Sequence, residues 1–168
     1  MEFEIRHRFE APVEEVERVM FHEDLPRLLA SRVELLRELE LLEARRSGSR
    51  LERRVRYLPV PMIRKIGTVT VEPEWMEWVE ESSYDFSTHR GTFVNVPARR
   101  RIAELLSNHG SLRFEPRGGA TERVVSGELR VKVFMVGRIA EKVIHGHAAK
   151  LLDQEAAAVA ALLRDRAL

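Results

Sequence analysis

The chain has 168 residues, of which 44% are hydrophobic and 33% charged, a size and composition typical of one folded domain over residues 1–168. Its 28 basic and 27 acidic side chains nearly cancel, so no overall field favours nucleic acid as a partner. The lack of cysteine excludes disulfides and thiolate metal sites and is compatible with a reducing compartment. No apolar run approaches the ~20 residues of a membrane span, and the N-terminus has no signal core. We therefore expect a cytoplasmic protein without an integral membrane segment.

The first third of the chain predicts a strand, two short helices and a hairpin. Apolar and charged residues alternate over residues 2–9, which is the period of a half-buried strand. Pro12, followed by two glutamates, is typical of a helix start, and a second short helix is expected to begin near Asp24. Between residues 33 and 57 the alternation resumes on both sides of a Ser-Gly-Ser turn. That pattern favours a hairpin, although its Leu, Glu and Arg residues are good helix formers.

The middle of the chain predicts further strands joined by loops. Residues 57–65 contain two prolines and predict an apolar loop or a single helical turn. A fourth strand is expected to end near Pro73, and residues 75–96 supply one or two more. Residues 97–107 predict either a short helix or a strand extension. Residues 112–119 supply the next strand and, at its Arg-Gly-Gly end, the turn into the last one.

The C-terminal stretch predicts one strand followed at once by the longest helix of the chain. Leu129 and Val131 alternate with charged residues, whereas from Val136 onward the apolar residues recur at intervals of three and four. Gly137 lies at the junction, where a residue without Cβ lets the backbone bend or pack closely. About 27 residues of helix would extend roughly 40 Å. One apolar face of that length needs a broad surface to cover, and the predicted sheet offers it.

The residues that close this arrangement resemble a known family. Residues 127–133 read GELRVKV, and they are followed by Val-Gly at 136–137 and by IAEKVI at 139–144. Together with the order of elements, this pattern resembles the START/polyketide-cyclase-like (SRPBCC, helix-grip) superfamily and, more narrowly, the bacterial DUF2505 group of proteins of unknown function. Members of that group tend to carry a Pro-Leu pair where Phe134 and Met135 stand here, so the chain departs from the pattern at these two positions.

The resemblance implies an α+β helix-grip fold. A curved antiparallel sheet of about six to seven strands, with two short helices after strand 1, would pack around the long C-terminal helix. In that superfamily an apolar cavity between sheet and helix typically holds lipids, sterols, polyketides or other hydrophobic molecules. Fold analogy does not identify the ligand.

Strand parity predicts which charged side chains face such a cavity. His7, Arg37, Arg53 and Arg123 each alternate in step with apolar neighbours on their strands. Burying an unpaired ion costs several kcal/mol, so inward arginines need a carboxylate, water or a ligand. They could form a cationic end that accepts the acidic head of an amphiphile, since guanidinium groups suit carboxylate and phosphate. Alternatively, bulges shift the register, or the side chains extend to the cavity mouth.

Aromatic and loop residues supply the other candidate contacts. Residues 75–86 hold four aromatic side chains, which either line the cavity or belong to the core. Val60, Met62 and Ile63, in the loop that contains the two prolines, form either a mobile apolar gate over the cavity or a loop packed on the core. The predicted ligand contacts in these segments are Tyr57, Met62, Trp78 and Tyr84.

The histidines predict no metal site. His145 and His147 lie two apart on a helix, so their side chains point to nearly opposite sides and cannot chelate together. No phosphate-binding loop, dinucleotide fingerprint or nucleophile elbow occurs, so no cofactor is predicted. An enzyme of the cyclase type would need an acid/base group in the cavity, for which His7 is the candidate. The alternative is that His7 is a structural histidine.

We therefore predict binding, sequestration or transport of a hydrophobic or amphiphilic small molecule or lipid, with an acidic headgroup as one option. One alternative is a cyclase- or hydratase-type enzyme that uses the same cavity. Another is a protein-interaction module with a filled core. The basic triplet at residues 99–101 is either a solvated face or a transient contact with anionic lipid. The oligomeric state does not follow from the sequence.

Overall fold

The computed structural model describes residues 1–61, 64–66 and 68–168. It consists of a curved antiparallel sheet with a long helix packed across it. Four helices, nine strands and one 3₁₀ turn at Pro73–Met76 occur in the described residues. In chain order they are β1 (Glu2–Phe9), α1 (Val13–Met20), α2 (Leu25–Ala30), β2 (Leu36–Ser47), β3 (Arg50–Pro59), β4 (Lys65–Ile66), β5 (Val69–Thr70), β6 (Trp78–Asp85), β7 (Arg90–Pro97), α3 (Arg100–Leu105), β8 (Leu106–Arg117), β9 (Ala120–Val131) and α4 (Gly137–Asp165).

Seven of the strands form the main sheet in the order β1-β9-β8-β7-β6-β3-β2, and every neighbouring pair is antiparallel. The first strand pairs with the last, so the two ends of the chain meet in the sheet. Helix α4 packs against β9, β1 and α1. This is the helix-grip fold that the resemblance implies, and the prediction of an α+β sheet with two short helices after its first strand is confirmed.

The tightly packed core occupies one end of the molecule. Side chains of α1, α2 and the last turns of α4 meet the sheet there, and Val16, Val19, Val159 and Leu162 are completely buried. Between residues 141 and 154, by contrast, no residue of α4 is fully buried. The middle of the helix therefore spans the sheet without closing on it, which leaves room for a cavity.

A pair of glycines brings β8 and β9 close together beneath an aromatic ring. Gly110 and Gly127 are partners in the ladder, and Gly110 also faces Phe93 on β7. A Cβ placed on Gly110 would lie 2.1 Å from the Ser126 carbonyl oxygen and 2.8 Å from the Phe93 ring. Only a residue without a side chain fits there, and the Phe93 ring takes the space above it.

One predicted strand differs in the structure. The strand expected to end near Pro73 is a two-residue segment, β5, which pairs with β4 in a ribbon separate from the main sheet. Prolines at positions 59, 61 and 73 bracket this region, and proline cannot donate to a ladder, so the segment is confined to a short ribbon. Residues 97–107 were predicted to form either a short helix or a strand extension, and the structure contains both: the helix α3 ends at Leu105 and the strand β8 begins at Leu106.

Candidate ligand-binding cavity

A cavity lies between the sheet and α4 and has two adjoining parts. The inner part has a volume of about 170 Å³ and is lined by residues of α1, α2, β1 to β3, β6 to β9 and the middle of α4. The outer part has a volume of about 840 Å³ and opens toward α3, the 3₁₀ turn and the first turns of α4. Both parts are lined mainly by apolar side chains. The residues common to both are Trp78, Asn95, Asn108, Leu129, Ala148 and Leu151.

Arg123 faces the inner part from β9, as its strand parity predicts, and is 1% exposed. One guanidinium nitrogen, Nη1, donates to the carboxylate of Glu155 on α4, which is 9% exposed. The other, Nη2, lies 3.0 Å from Nδ1 of His7 and 3.3 Å from the carbonyl oxygen of Leu152. The positive charge of Arg123 is therefore compensated by Glu155 within the protein. The sequence pattern of β9 gave no sign of this partner, because the partner comes from the helix.

His7 joins β1 to both β9 and α4 through its two ring nitrogens. A guanidinium nitrogen can only donate, so Nδ1 accepts from Arg123, and Nε2 then carries the proton and donates to Asp153 at 3.0 Å. Burial and the charge of Arg123 lower the pKa of His7, and Asp153 opposes this only in part. His7 is also not among the described residues that line the cavity. This geometry favours the structural alternative over an acid/base role.

Arg53 faces the inner part from β3 and is half-buried. Its Nη1 lies 3.3 Å from the carbonyl oxygen of Met20, and its guanidinium carbon lies 4.9 Å from the ring centroid of Phe21. The neighbouring arginines 54 and 56 form ion pairs on the opposite face, whereas Arg53 forms none within the described residues. Its Nε is buried and has no hydrogen-bond partner there either. Arg53 therefore places on the cavity wall a hydrogen-bond donor, Nε, that has no partner among the described residues.

The prediction that Arg37 faces the cavity is wrong. The side chain is exposed, and the residue is absent from the described lining of both parts. The β2–β3 register shifts between Leu36 and Glu38, and Leu36 and Leu39 are the buried residues of this segment. This β-bulge reverses the alternation on which the prediction depended, so Arg37 points to solvent.

A row of three polar residues, Glu80, Asn95 and Asn108, crosses strands β6, β7 and β8 on the cavity wall; we call it the polar row. Asn95 Nδ2 donates to Asn108 Oδ1 at 3.3 Å, whereas Asn95 Oδ1 is buried and accepts no hydrogen bond from any described residue. Glu77 and Glu81 pair with arginines, but Glu80 forms no ion pair in the described part of the chain. Burial raises the pKa of the Glu80 carboxyl, and the nearby charge of Arg53 opposes that shift.

The polar row was missed in the sequence, although one sign of it was available. Glu80 lies in the same parity as Trp78 and Tyr84, both of which were predicted to face inward. Its alignment with the two asparagines depends on pairing between strands that are distant in sequence, and alternation within one strand does not reveal such pairing.

The predicted aromatic contacts separate into two groups. Tyr57 and Trp78 are partners in the β3–β6 ladder, and their rings stack with centroids 4.9 Å apart on the cavity wall. Burial raises the pKa of the Tyr57 hydroxyl well above its ordinary value. Tyr84 also lines the inner part, but its hydroxyl donates to the buried carboxylate of Glu17 and so points into the core. Met62, the remaining predicted contact, lies outside the described residues.

The structure brings together five of the eight predicted ligand contacts, since Arg53, Tyr57, Trp78, Tyr84 and Arg123 all line the inner part. Among the described residues, no group of three or more His, Cys, Asp or Glu side chains has the geometry of a metal site. In the same residues, no helix is both long and apolar enough to span a membrane.

The family described as "Protein of unknown function (DUF2505)" has a model that matches residues 4–163. The chain belongs to this family. No curated protein matches the chain significantly.

Solved structures with this fold include three informative neighbours. The protein TTHA0849 from Thermus thermophilus is 20% identical with a TM-score of 0.69, and all of both chains is covered. The Zhui aromatase/cyclase from Streptomyces sp. R1128 is 14% identical with a TM-score of 0.65, covering 100% of this chain and 96% of that one. Norcoclaurine synthase from Thalictrum flavum, in complex with dopamine and hydroxybenzaldehyde, is 16% identical with a TM-score of 0.65, covering 98% of this chain and 87% of that one. At these identities the likeness shows the fold alone.

Proposed function

We propose that this DUF2505 protein binds a hydrophobic or amphiphilic small molecule between its sheet and α4 and carries or sequesters it. The observation that carries the proposal is the two-part cavity, whose outer part alone has the size of a typical ligand pocket, about 300–1,000 Å³. Its wall is mainly apolar and holds a few convergent polar groups, which is the usual composition of a small-molecule site. An interaction module with a filled core does not fit this cavity.

The proposal favours binding over catalysis because His7, the predicted acid/base residue, has both ring nitrogens engaged by Arg123 and Asp153. An enzyme of the cyclase or hydratase type is the second candidate. One observation supports it: the Glu80 carboxyl faces the cavity without an ion-pair partner among the described residues, and burial raises its pKa. If that candidate is correct, Glu80→Gln abolishes turnover and retains the ligand.

The compartment belongs to the same proposal. A chain without cysteine suits a reducing compartment, so we place this carrier in the cytoplasm, as one domain over residues 1–168.

The experiment that tests binding blocks the cavity at the point where its two parts meet. Ala148 lines both parts, so the indole of Ala148→Trp would fill the passage between them. Ala157 lies on the exposed side of the same helix, and Ala157→Trp is the matched control. Titration with Nile red, an uncharged apolar dye, should give saturable binding for the wild type and Ala157→Trp and at least about tenfold weaker binding for Ala148→Trp. Equal binding by all three proteins, with unfolding temperatures that show them folded, would place the dye elsewhere and contradict the proposal.

A further inference from the structure

The inner part of the cavity offers hydrogen-bonding atoms that the protein does not use. Two buried donors, Nε of Arg53 and Nε of Arg123, and one buried acceptor, Oδ1 of Asn95, have no hydrogen-bond partner among the residues described. The Glu80 carboxyl beside them accepts a hydrogen bond from the Ser82 hydroxyl but forms no ion pair with any described residue, so its remaining lone pairs are open to a ligand. Glu80 and Asn95 are direct partners in the β6–β7 ladder, where opposing Cβ atoms lie about 4.5–5.5 Å apart. Arg53 is opposite Ser82, one diagonal step from Glu80, and its long side chain spans that distance. One small polar group could therefore reach all three residues.

The charges of the inner part balance without any ligand. Among its described lining residues, the charged side chains are Arg53, Glu80, Arg123 and Glu155. Arg123 and Glu155 already form a buried ion pair, which leaves one further guanidinium and one further carboxyl. An acidic headgroup would compensate Arg53 but would bring a second carboxylate beside Glu80. A cationic headgroup would compensate Glu80 but would face Arg53. Either charge loses part of its gain to repulsion in a low-dielectric site.

We propose that the ligand carries an uncharged hydroxyl group, as an alcohol or a phenol, and that this hydroxyl lies on the polar row while the apolar body extends into the outer part. The inference rests on the proposed function. A hydroxyl donates one hydrogen bond and accepts others, which matches the acceptors Glu80 and Asn95 and the donor Arg53. This replaces the sequence-based expectation of an acidic head, because Arg37 is outside the cavity and Arg123 is already paired.

The test compares ligands that share one chain length and differ only at the end group. Dodecanol, dodecane, dodecanoate and dodecylammonium each compete for Nile red on the wild type. Dodecanol should bind about three- to tenfold more tightly than dodecane, which is the gain of a satisfied hydrogen bond, and more tightly than either charged ligand. Asn95→Leu should remove the preference for dodecanol over dodecane, whereas Ser107→Leu, on the exposed face of β8, should retain it.

The outcomes separate this inference from the proposed function. If dodecane and dodecanol bind equally to the wild type and Asn95→Leu changes nothing, the cavity binds ligands but the hydroxyl inference is wrong. Stronger binding of dodecanoate would overturn it in favour of an acidic head held by Arg53. If none of the four ligands displaces the dye, or the dye does not bind, the proposed function itself fails.

A second feature is independent of the cavity's chemistry. An apolar tip, formed by Phe134, Met135 and Ile139, projects from the junction of β9 and α4. These side chains are 91%, 83% and 55% exposed. Met135 adopts a φ of 65°, which side-chain-bearing residues rarely do. The Val136 amide donates to the Phe134 carbonyl oxygen and the Gly137 amide to that of Val133, so hydrogen bonds fix the tip in this outward position.

Basic residues surround the apolar tip. Lys132, Arg138 and Lys142 are exposed beside it. The Lys132 amide donates to the Leu105 carbonyl oxygen at 2.7 Å, which brings the C-terminal end of α3 to the same side. The exposed arginines 99–101 lie at the other end of α3 and line the outer part of the cavity together with Val133 and Val136. Of the nearby acids, Glu141 is engaged by the N-terminal ammonium and by the Val131 amide, and Glu104 pairs with Arg100. The surface thus combines exposed apolar side chains with a surplus of positive charge.

From this combination we infer that the apolar tip docks transiently on an anionic lipid bilayer. Apolar side chains enter the interface, and each basic residue near an anionic surface adds to the attraction. Val133, Val136 and Ala140, which lie between and beside the tip residues, line the outer part of the cavity. Docking therefore brings the cavity mouth to the membrane. The charge complementarity favours a bilayer over a protein groove as the partner.

The test is co-sedimentation with vesicles of phosphatidylcholine, with and without phosphatidylglycerol. The wild type should sediment with the anionic vesicles, and added salt should weaken the binding. Phe134→Ser/Met135→Ser should lower binding by at least about tenfold, because burial of two large apolar side chains is lost. Val94→Ser/Val96→Ser removes two exposed apolar residues on the far side of β7 and should change nothing. Equal binding by all three proteins, or none to either vesicle, would overturn the inference.

Discussion

The buried pair Arg123–Glu155 gives the sharpest test of the structure. Replacing Glu155 with Leu leaves the guanidinium of Arg123, 1% exposed, without its compensating carboxylate. Breaking a buried pair at one partner typically costs about 3–5 kcal/mol of unfolding free energy, since the remaining charge is desolvated and unpaired. For a chain of 168 residues, that cost corresponds to a fall in the unfolding temperature of roughly 6–20 °C.

The matched control removes both charges together. Arg123→Met/Glu155→Leu replaces the pair with apolar side chains of similar volume, and such replacements are often neutral or stabilising. We therefore expect the double variant to recover most of the stability that Glu155→Leu loses. Urea unfolding of the wild type, both single variants and the double variant gives the coupling energy directly. A loss below about 1 kcal/mol in Glu155→Leu would mean that the cavity hydrates Arg123, and would refute its description as an internally compensated charge.

Three further predictions follow from single residues. Burial holds the pKa of His7 below its ordinary value of 6.5, so the neutral form stabilises the fold above that pH. The free energy of unfolding should therefore fall as the pH drops through the lowered folded-state pKa. His7→Gln should flatten this dependence in urea unfolding measured at several pH values. Gly110→Ala should lower the free energy of unfolding by at least about 2 kcal/mol, because the added Cβ would meet a backbone oxygen. Gly146→Ala on α4 places its Cβ where no atom lies within 4 Å, so it should raise the free energy of unfolding by about 0.5–1 kcal/mol in the same assay. Arg37→Ala should change the free energy of unfolding and the binding free energy of Nile red by less than about 0.5 kcal/mol each. A larger change would contradict the exposed position of this side chain.

Periodicity predicted most of the architecture because each element has a local sequence pattern. The alternation in β1 and β9 and the three-and-four spacing in α4 survive in the structure, as do the glycine turns that join β2 to β3 and β8 to β9. The prolines between residues 59 and 73 are an exception. They mark irregular backbone without specifying which strand pairs with which, and the expected fourth strand became a separate ribbon for that reason.

The orientation of the cavity-facing residues was predictable only where the alternation is uninterrupted. Parity placed Arg53 and Arg123 inward correctly, since β3 pairs with β6, and β9 with both of its neighbours, without a shift in register. The same reasoning failed for Arg37 because one bulge in β2 reverses the faces. A bulge is a property of two paired strands, so one strand's pattern does not reveal it.

The partners of these residues were beyond sequence reasoning. Glu155 reaches Arg123 from α4, 32 residues further along the chain, and the compensation of that charge changes the expected ligand from an acid to an uncharged hydroxyl compound. The polar row likewise depends on the alignment of β6, β7 and β8. Alternation showed which side chains face inward, but only the fold shows what they meet.

The most direct test of the central claim is native mass spectrometry of the purified protein, followed by extraction and identification of any bound molecule. We expect a discrete small-molecule adduct on the wild type and on Ala157→Trp that is lost from Ala148→Trp, with a hydroxyl-bearing compound in the extract. A bare protein mass that stays unchanged after incubation with a mixed lipid extract would contradict the carrier function.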